Sequence, residues 1–260
     1  MKPVLFGMIG IVACSGTAMM APETPRDAMR AAIQQARDGD LQADWNKMLD
    51  ARERFAAVAA ASGSDGEISP LAHYYLGYTD WRLSSLAFMA VGPKAQAALA
   101  ERAATSLDTA IEKRPKFPDA HALLAAVLAT WAYGDPSVRD KVLPRMQAAW
   151  KAALPDGEGN PRVLLLRAMS LVFAPPPYGN REQGLEMWRR AIDAFEKERP
   201  STLEPNWGYV EAIAWLGGTH LAAGEYKEAV QLLERAVKIR PDFWWARKAA
   251  LPVAKRPIEK

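Results

Sequence analysis

The side chains best suited to covalent or metal chemistry in this chain are one cysteine, Cys14, and three histidines, His73, His121 and His220. A cysteine thiolate is a nucleophile, and being single it forms no intrachain disulfide. Histidines serve as proton shuttles or metal ligands when two or three converge. These three are far apart in sequence, and none lies in a His-Glu-x-x-His helix. The chain has neither a Gly-rich phosphate loop ending in Lys-Ser or Lys-Thr nor a Gly-x-Ser-x-Gly turn. Its carboxylates are scattered, without an evident pair across a cleft. The expectation is a protein without catalytic residues, cofactor or metal site.

The elements that carry these residues read as helices throughout. Alanine is abundant, Gly and Pro fall between periodic segments, and no long alternating Val/Ile/Thr run speaks for a sheet. The 260 residues suffice for a continuous array of helix pairs. A formal net charge of +3, with both signs interspersed, leaves no basic stripe, so nucleic acid is not an expected partner.

The C-terminal unit is clearest. Leu216, Gly217 and His220 share a face of one helix; after Ala222-Ala223-Gly224-Glu225-Tyr226 a second carries Ala229, Leu233, Ala236 and Val237 and stops at Pro241. Large and small residues fall where two close-packed helices need them, and such a unit must stack on neighbours. Upstream, helices are expected from Arg26 to Arg37, ended by Asp38-Gly39-Asp40, and from Leu41 to about Ala60. A second pair spans Leu71 to Ala90 and Lys94 to Lys113. A third begins at Pro118, breaks at Gly134-Asp135-Pro136 and returns to about Ala153. Asn160-Pro161 opens a fourth, divided by Ala174-Pro175-Pro176-Pro177-Tyr178-Gly179-Asn180. Pro205-Asn206 starts the last, and a short helix from Phe243 to about Ala250 covers its end.

These units resemble tetratricopeptide repeats. The resemblance is carried by Leu216-Gly217, His220, Gly224, Tyr226, Ala229, Leu233, Ala236 and Pro241, and by Leu76-Gly77, Ala103, Leu107, Ala110 and Pro115. Ile213 stands where family members usually have a large aromatic, His220 where they have Tyr, and Arg167 where they have Leu. The intervals between Ala110, Ala152, Ala191 and Ala236 are uneven, against a family repeat of roughly 34 residues. The resemblance implies an all-α, right-handed solenoid of about five helical hairpins. It also implies a concave groove that receives an extended peptide or a helix.

The amino terminus carries a different signal. Met1-Lys2-Pro3 precedes the apolar run Val4 to Ala13, too short for the roughly 20 residues of a transmembrane helix and suited to an export signal. Ile11-Val12-Ala13-Cys14 resembles the bacterial lipoprotein box, which implies cleavage before Cys14 and lipid on its sulfur. Ser15 after that cysteine implies outer-membrane retention. A cut after Gly16-Thr17-Ala18 is the alternative and gives a soluble periplasmic protein. The expected organisation is signal 1–18, tether 19–25, repeat domain 26–250 and flexible tail 251–260.

Aromatics offer the main functional lead. Tyr74, Tyr78 and Trp81 form an i, i+4, i+7 stripe on the first helix of pair two, where the resemblance places the groove. Such a stripe contacts a ligand or packs against the first hairpin. Arg162, Leu165 and Met169 occupy the comparable face of pair four. Asp119, Ala122, Ala126 and Ala129 leave pair three smooth, which widens a groove or lets helices close up. The expectation is an exported, lipid-tethered scaffold that binds a protein or peptide through these residues, with Trp81→Ala weakening binding alone. The rival is a periplasmic small-molecule component of an uptake system, or an enzyme.

Overall fold

The computed structural model describes residues 24–175 and 177–256. It is all-α among those residues. Five hairpins follow one another: α1 (Pro25–Gln42) with α2 (Trp45–Ser62), α3 (Ile68–Ala90) with α4 (Pro93–Lys113), α5 (Pro118–Gly134) with α6 (Arg139–Gly157), α7 (Pro161–Phe173) with α8 (Arg181–Lys197), and α9 (Tyr209–Ala222) with α10 (Tyr226–Ile239). A π-helical turn, Trp245–Ala250, and α11 (Leu251–Lys255) close the described chain. The signal segment and its lipoprotein box, with Cys14, lie outside the described residues.

Local chemistry explains most boundaries. Thr24, Asp44, Asn160 and Asn180 cap α1, α2, α7 and α8 by accepting backbone N–H bonds from the first turns. Proline stands at the first positions of α1, α4, α5 and α7, where a missing N–H costs nothing. Each hairpin then buries small residues against large ones. Ala103, Leu107 and Ala110 of α4 are inaccessible, as are Ala229, Leu233 and Ala236 of α10.

The first helices stack directly, α1 on α3, α3 on α5 and α5 on α7, whereas the second helices pack less closely on one another and are bridged by side chains, Arg145 of α6 to Asp108 of α4 and Arg235 of α10 to Glu196 of α8. An array whose inner helices pack more closely than its outer ones must curve. Here the curve brings the ends together: Arg240 Nη2 donates to Asp38 Oδ1 at 2.9 Å, and Gln42 Nε2 donates to Asp242 Oδ2 at 2.9 Å.

Three expectations are corrected by this geometry. α1 does not end at Asp38-Gly39-Asp40 but runs to Gln42. Those polar residues are paired across the closure, Asp38 with Arg240 and Asp40 with Arg82, so they read as a stop without being one. The last pair does not begin at Pro205-Asn206, because α9 starts at Tyr209. The tail expected from residue 251 stays helical to Lys255, with Ala254 fully buried.

Candidate functional site

The inner face is not an open groove. The segment joining α8 to α9, residues 198–208, crosses it as an extended strap. Leu203 and Trp207 are buried there, Trp207 only 2% exposed. The Trp207 indole N–H donates to Tyr74 Oη at 2.8 Å, and its ring packs on Tyr78 at 4.8 Å and near Trp81 at 6.1 Å between centroids. Tyr75 Oη donates to the Glu204 carbonyl at 3.2 Å, and Arg114 pairs with the Glu204 carboxylate at 2.8 Å. At Gly208 the chain adopts φ +111° to turn into α9, and a Cβ there would stand 2.6 Å from the Phe195 ring.

The sequence-derived contacts therefore have an internal occupant. Tyr74, Tyr78 and Trp81 are buried, as are Arg162 and Leu165; Met169 is half-buried against the core. The stripe lies on the expected inner face, but the chain itself covers it, so these residues are not free contacts. Trp81→Ala removes core packing and the bond from its indole N–H to Thr130 Oγ1 at 3.2 Å. Of the stripe, Tyr78 donates to Asp40 of the first hairpin, and the neighbouring Tyr75 stacks on Phe55 of that hairpin, while Tyr74, Tyr78 and Trp81 meet Trp207 of the strap. Along the smooth face of α5, Asp119 and Ala122 are buried, Ala126 is half-buried and Ala129 is exposed, so close packing takes only its first half.

Charged groups inside are clamped. Asp119 of α5 and Glu198 of the strap converge on Arg162, with Asn160 Nδ2 donating to Asp119 at 2.6 Å. Burial alone lowers the affinity of Arg162 for its proton, but Glu198 and Asp119 hold it above the ordinary arginine value. Asp80 receives Arg52 and Arg102, each at 2.7 Å. Near the closure, Arg82 pairs with Asp40 at 2.7 Å and lies over the Trp215 ring.

Glu211, buried on α9, has its pKa raised, first by desolvation and then by Asp40. The folded state thus binds this proton more tightly than the unfolded chain, so stability falls as pH rises from 4.5 through the shifted value. Glu211→Gln removes that penalty. Urea titrations at several pH values are expected to show parent and variant converging in acid and separating, variant above parent, towards neutrality. Parallel profiles would count against the assignment.

The histidines stay apart. His73 is half-buried, with its pKa lowered by burial and by Lys113; His121 Nε2 lies 2.9 Å from the Pro115 carbonyl; His220 pairs with Glu225. Among the described residues no three His, Cys, Asp or Glu side chains are grouped to hold a metal ion, and no helix is long and apolar enough to cross a membrane.

What the sequence reading missed lies at one edge. Wherever a first helix turns into its second, large apolar side chains face solvent: Trp45 in the first pair, Phe88, Met89 and Val91 in the second, Tyr133 and Leu143 in the third, Phe173 and Tyr178 in the fourth, Tyr226 in the fifth. Val91 and Tyr178 are 78% and 79% exposed, and Phe88 meets Tyr133 edge-on at 5.8 Å. Elsewhere among the described residues such exposure is confined to Leu154, Ile239, Trp244 and Val253. The signal was present in the sequence at the turns between paired helices, which hold these large apolar residues.

Comparison with known proteins agrees with the repeat architecture. Residues 210–251 match the family model described as tetratricopeptide repeat. No curated protein matches the chain. Among solved structures it is similar to one titled Assembly Chaperone of RpL4 (Acl4), residues 1–338, at 16% identity and a TM-score of 0.36, over 91% of this chain and 100% of that one. That likeness says nothing of what this chain binds.

Proposed function

We propose that this chain is a non-catalytic protein- or peptide-binding scaffold of the bacterial cell envelope, tethered through lipid on Cys14. Its binding surface is the edge formed by the turns from first to second helices. The observation that carries this is the succession of exposed aromatic and aliphatic side chains at that edge, one group per hairpin, while the inner face is filled by the strap. Contiguous exposed apolar surface on a folded chain marks an interaction site. Tyr, Trp and Phe are the residues that anchor protein interfaces. Charges along the edge alternate in sign, Lys94, Arg139 and Arg181 against Asp135, Asp140 and Glu182, which fits an apolar partner surface and not a polyanion.

A photo-crosslinking amino acid at Tyr133 or Tyr178, in cells of the source bacterium, is expected to capture one discrete protein. The same group at exposed Asp50 of α2, away from the edge, is expected to capture none. Equal labelling from both positions, or none from either, removes the edge as the binding surface. Intact-mass measurement of the mature amino terminus decides between a lipidated Cys14 and a plain amino terminus after Ala18.

A further inference from the structure

On the outside, between α6 and α8, the structure leaves an open groove of about 650 Å³ that continues into a narrower stretch of about 300 Å³. Its walls are the C-terminal part of α6, the start of α7 and the C-terminal half of α8. Its narrow part has an apolar floor of Leu154, Pro155, Val163, Leu164 and Met187. Two arginines, Arg167 of α7 and Arg190 of α8, also line that part.

Arg167 occupies the position where the repeat pattern has Leu, and it lines the groove. It is half-buried, its cation lies 5.3 Å over the Trp150 ring, and its polar contact is a long bond to Ser170 Oγ at 3.4 Å. Neither Arg167 nor Arg190 forms an ion pair among the described residues. Glu198, which lines the wider part, is already held by Arg162. Glu158 lines both parts, and Asp193 lines the wider one, a turn before Lys197 on α8. A partly desolvated guanidinium without a carboxylate is a site waiting for an anion, since a charge-assisted, two-pronged bond is the strongest that arginine makes.

We propose that this groove binds an acidic amphipathic peptide segment of a partner protein, an aliphatic side chain seated on Leu164 and Met187 and a neighbouring carboxylate held between Arg167 and Arg190. The volume suits a few side chains and not a domain. A fatty acid offers the same pairing of carboxylate and hydrocarbon, but an acyl chain needs an enclosed tunnel. This groove is open along its length and rimmed by Glu158, Asp193 and Lys197, which suit a polar backbone. The site lies on a different face from the apolar edge, so each stands or falls alone.

The test uses the chain from residue 24 onward, with fluorescein-labelled helical peptides that carry Glu beside Leu at several spacings. Their Glu-to-Gln counterparts and sodium oleate are run in parallel. Anisotropy is expected to show at least one Glu peptide binding, its Gln counterpart about tenfold more weakly. The Met187 methyl resonance, assigned with Met187→Leu, is expected to move on binding. Arg190→Gln, at an exposed position, is expected to weaken the Glu peptide about tenfold with the thermal midpoint unchanged. Arg167→Gln should do the same, but its contact with Trp150 makes Arg190→Gln the deciding variant. Equal affinity for Glu and Gln peptides overturns the proposal, as does a silent Met187 or an unaffected Arg190→Gln. Binding of oleate but of no peptide overturns it too.

Discussion

Trp207→Ala is expected to cost about 3–5 kcal/mol of folding stability, the range for deleting a large buried aromatic. The indole is 2% exposed and packs on Tyr78 and Trp81, and its N–H satisfies Tyr74 Oη. Removing it leaves a cavity where the inner helices converge and an orphaned hydroxyl at its wall. Trp207→Phe keeps one of the two fused rings and loses the hydrogen bond with a smaller cavity, so an intermediate loss of about 1–3 kcal/mol is expected. The strap is the sole segment spanning α8 to α9, so its release exposes Tyr74, Tyr78 and Trp81. Amide exchange in α3 should therefore accelerate in the Ala variant beyond what global destabilisation explains. A loss below 1 kcal/mol for Trp207→Ala, in urea unfolding, would show that the strap rests on the inner face without holding it.

The helical array was legible because its signals are local. Gly217 packs so near Leu232 and Leu233 that a Cβ would stand 3.1 Å from each, and a pattern of small residues opposite large ones is written within one hairpin. The i, i+4, i+7 spacing puts Tyr74, Tyr78 and Trp81 on one face of α3, and the repeat resemblance puts that face on the groove side. What fills it follows from neither, because Trp207 and Tyr74 are joined across 133 residues. The strap contains Pro200 and Pro205 and no periodicity, so by local rules it is a connector. The closure of the ring was hidden for the same reason. Asp38 and Asp40 look like solvated turn residues until Arg240 and Arg82 arrive from elsewhere in the fold.

The self-filled inner face redirects the functional reading from groove to edge and outer side. A repeat array needs its curvature held, and here the strap and the contact between first and last hairpins do that. A partner is then met by surfaces that folding leaves uncovered. The apolar edge has one such group in every hairpin, so its length grows with the array. The α6–α8 groove lies beside Arg167, where one repeat departs from the family pattern.

Arg162→Met carries the second large effect, about 3 kcal/mol of destabilisation. Arg162 is 4% exposed, and its guanidinium is shared by Asp119 from α5 and Glu198 at the root of the strap. Deleting the cation leaves a buried carboxylate and a partly buried one facing each other, and uncompensated buried charge is what makes a broken pair costly. Neutralising both acids in the triple variant Arg162→Met, Asp119→Asn, Glu198→Gln removes that repulsion, so it is expected to recover at least half of the loss. The cluster also anchors the strap, so the single variant should show faster exchange at residues 198–208 and in α3, echoing Trp207→Ala. It borders the outer groove as well, through Asn160 and Glu198, so peptide affinity there should fall in Arg162→Met and return in the triple variant. A single variant as stable as the parent, or a triple variant no better than the single, would mean that α5, α7 and the strap are held by packing, with the ion cluster incidental.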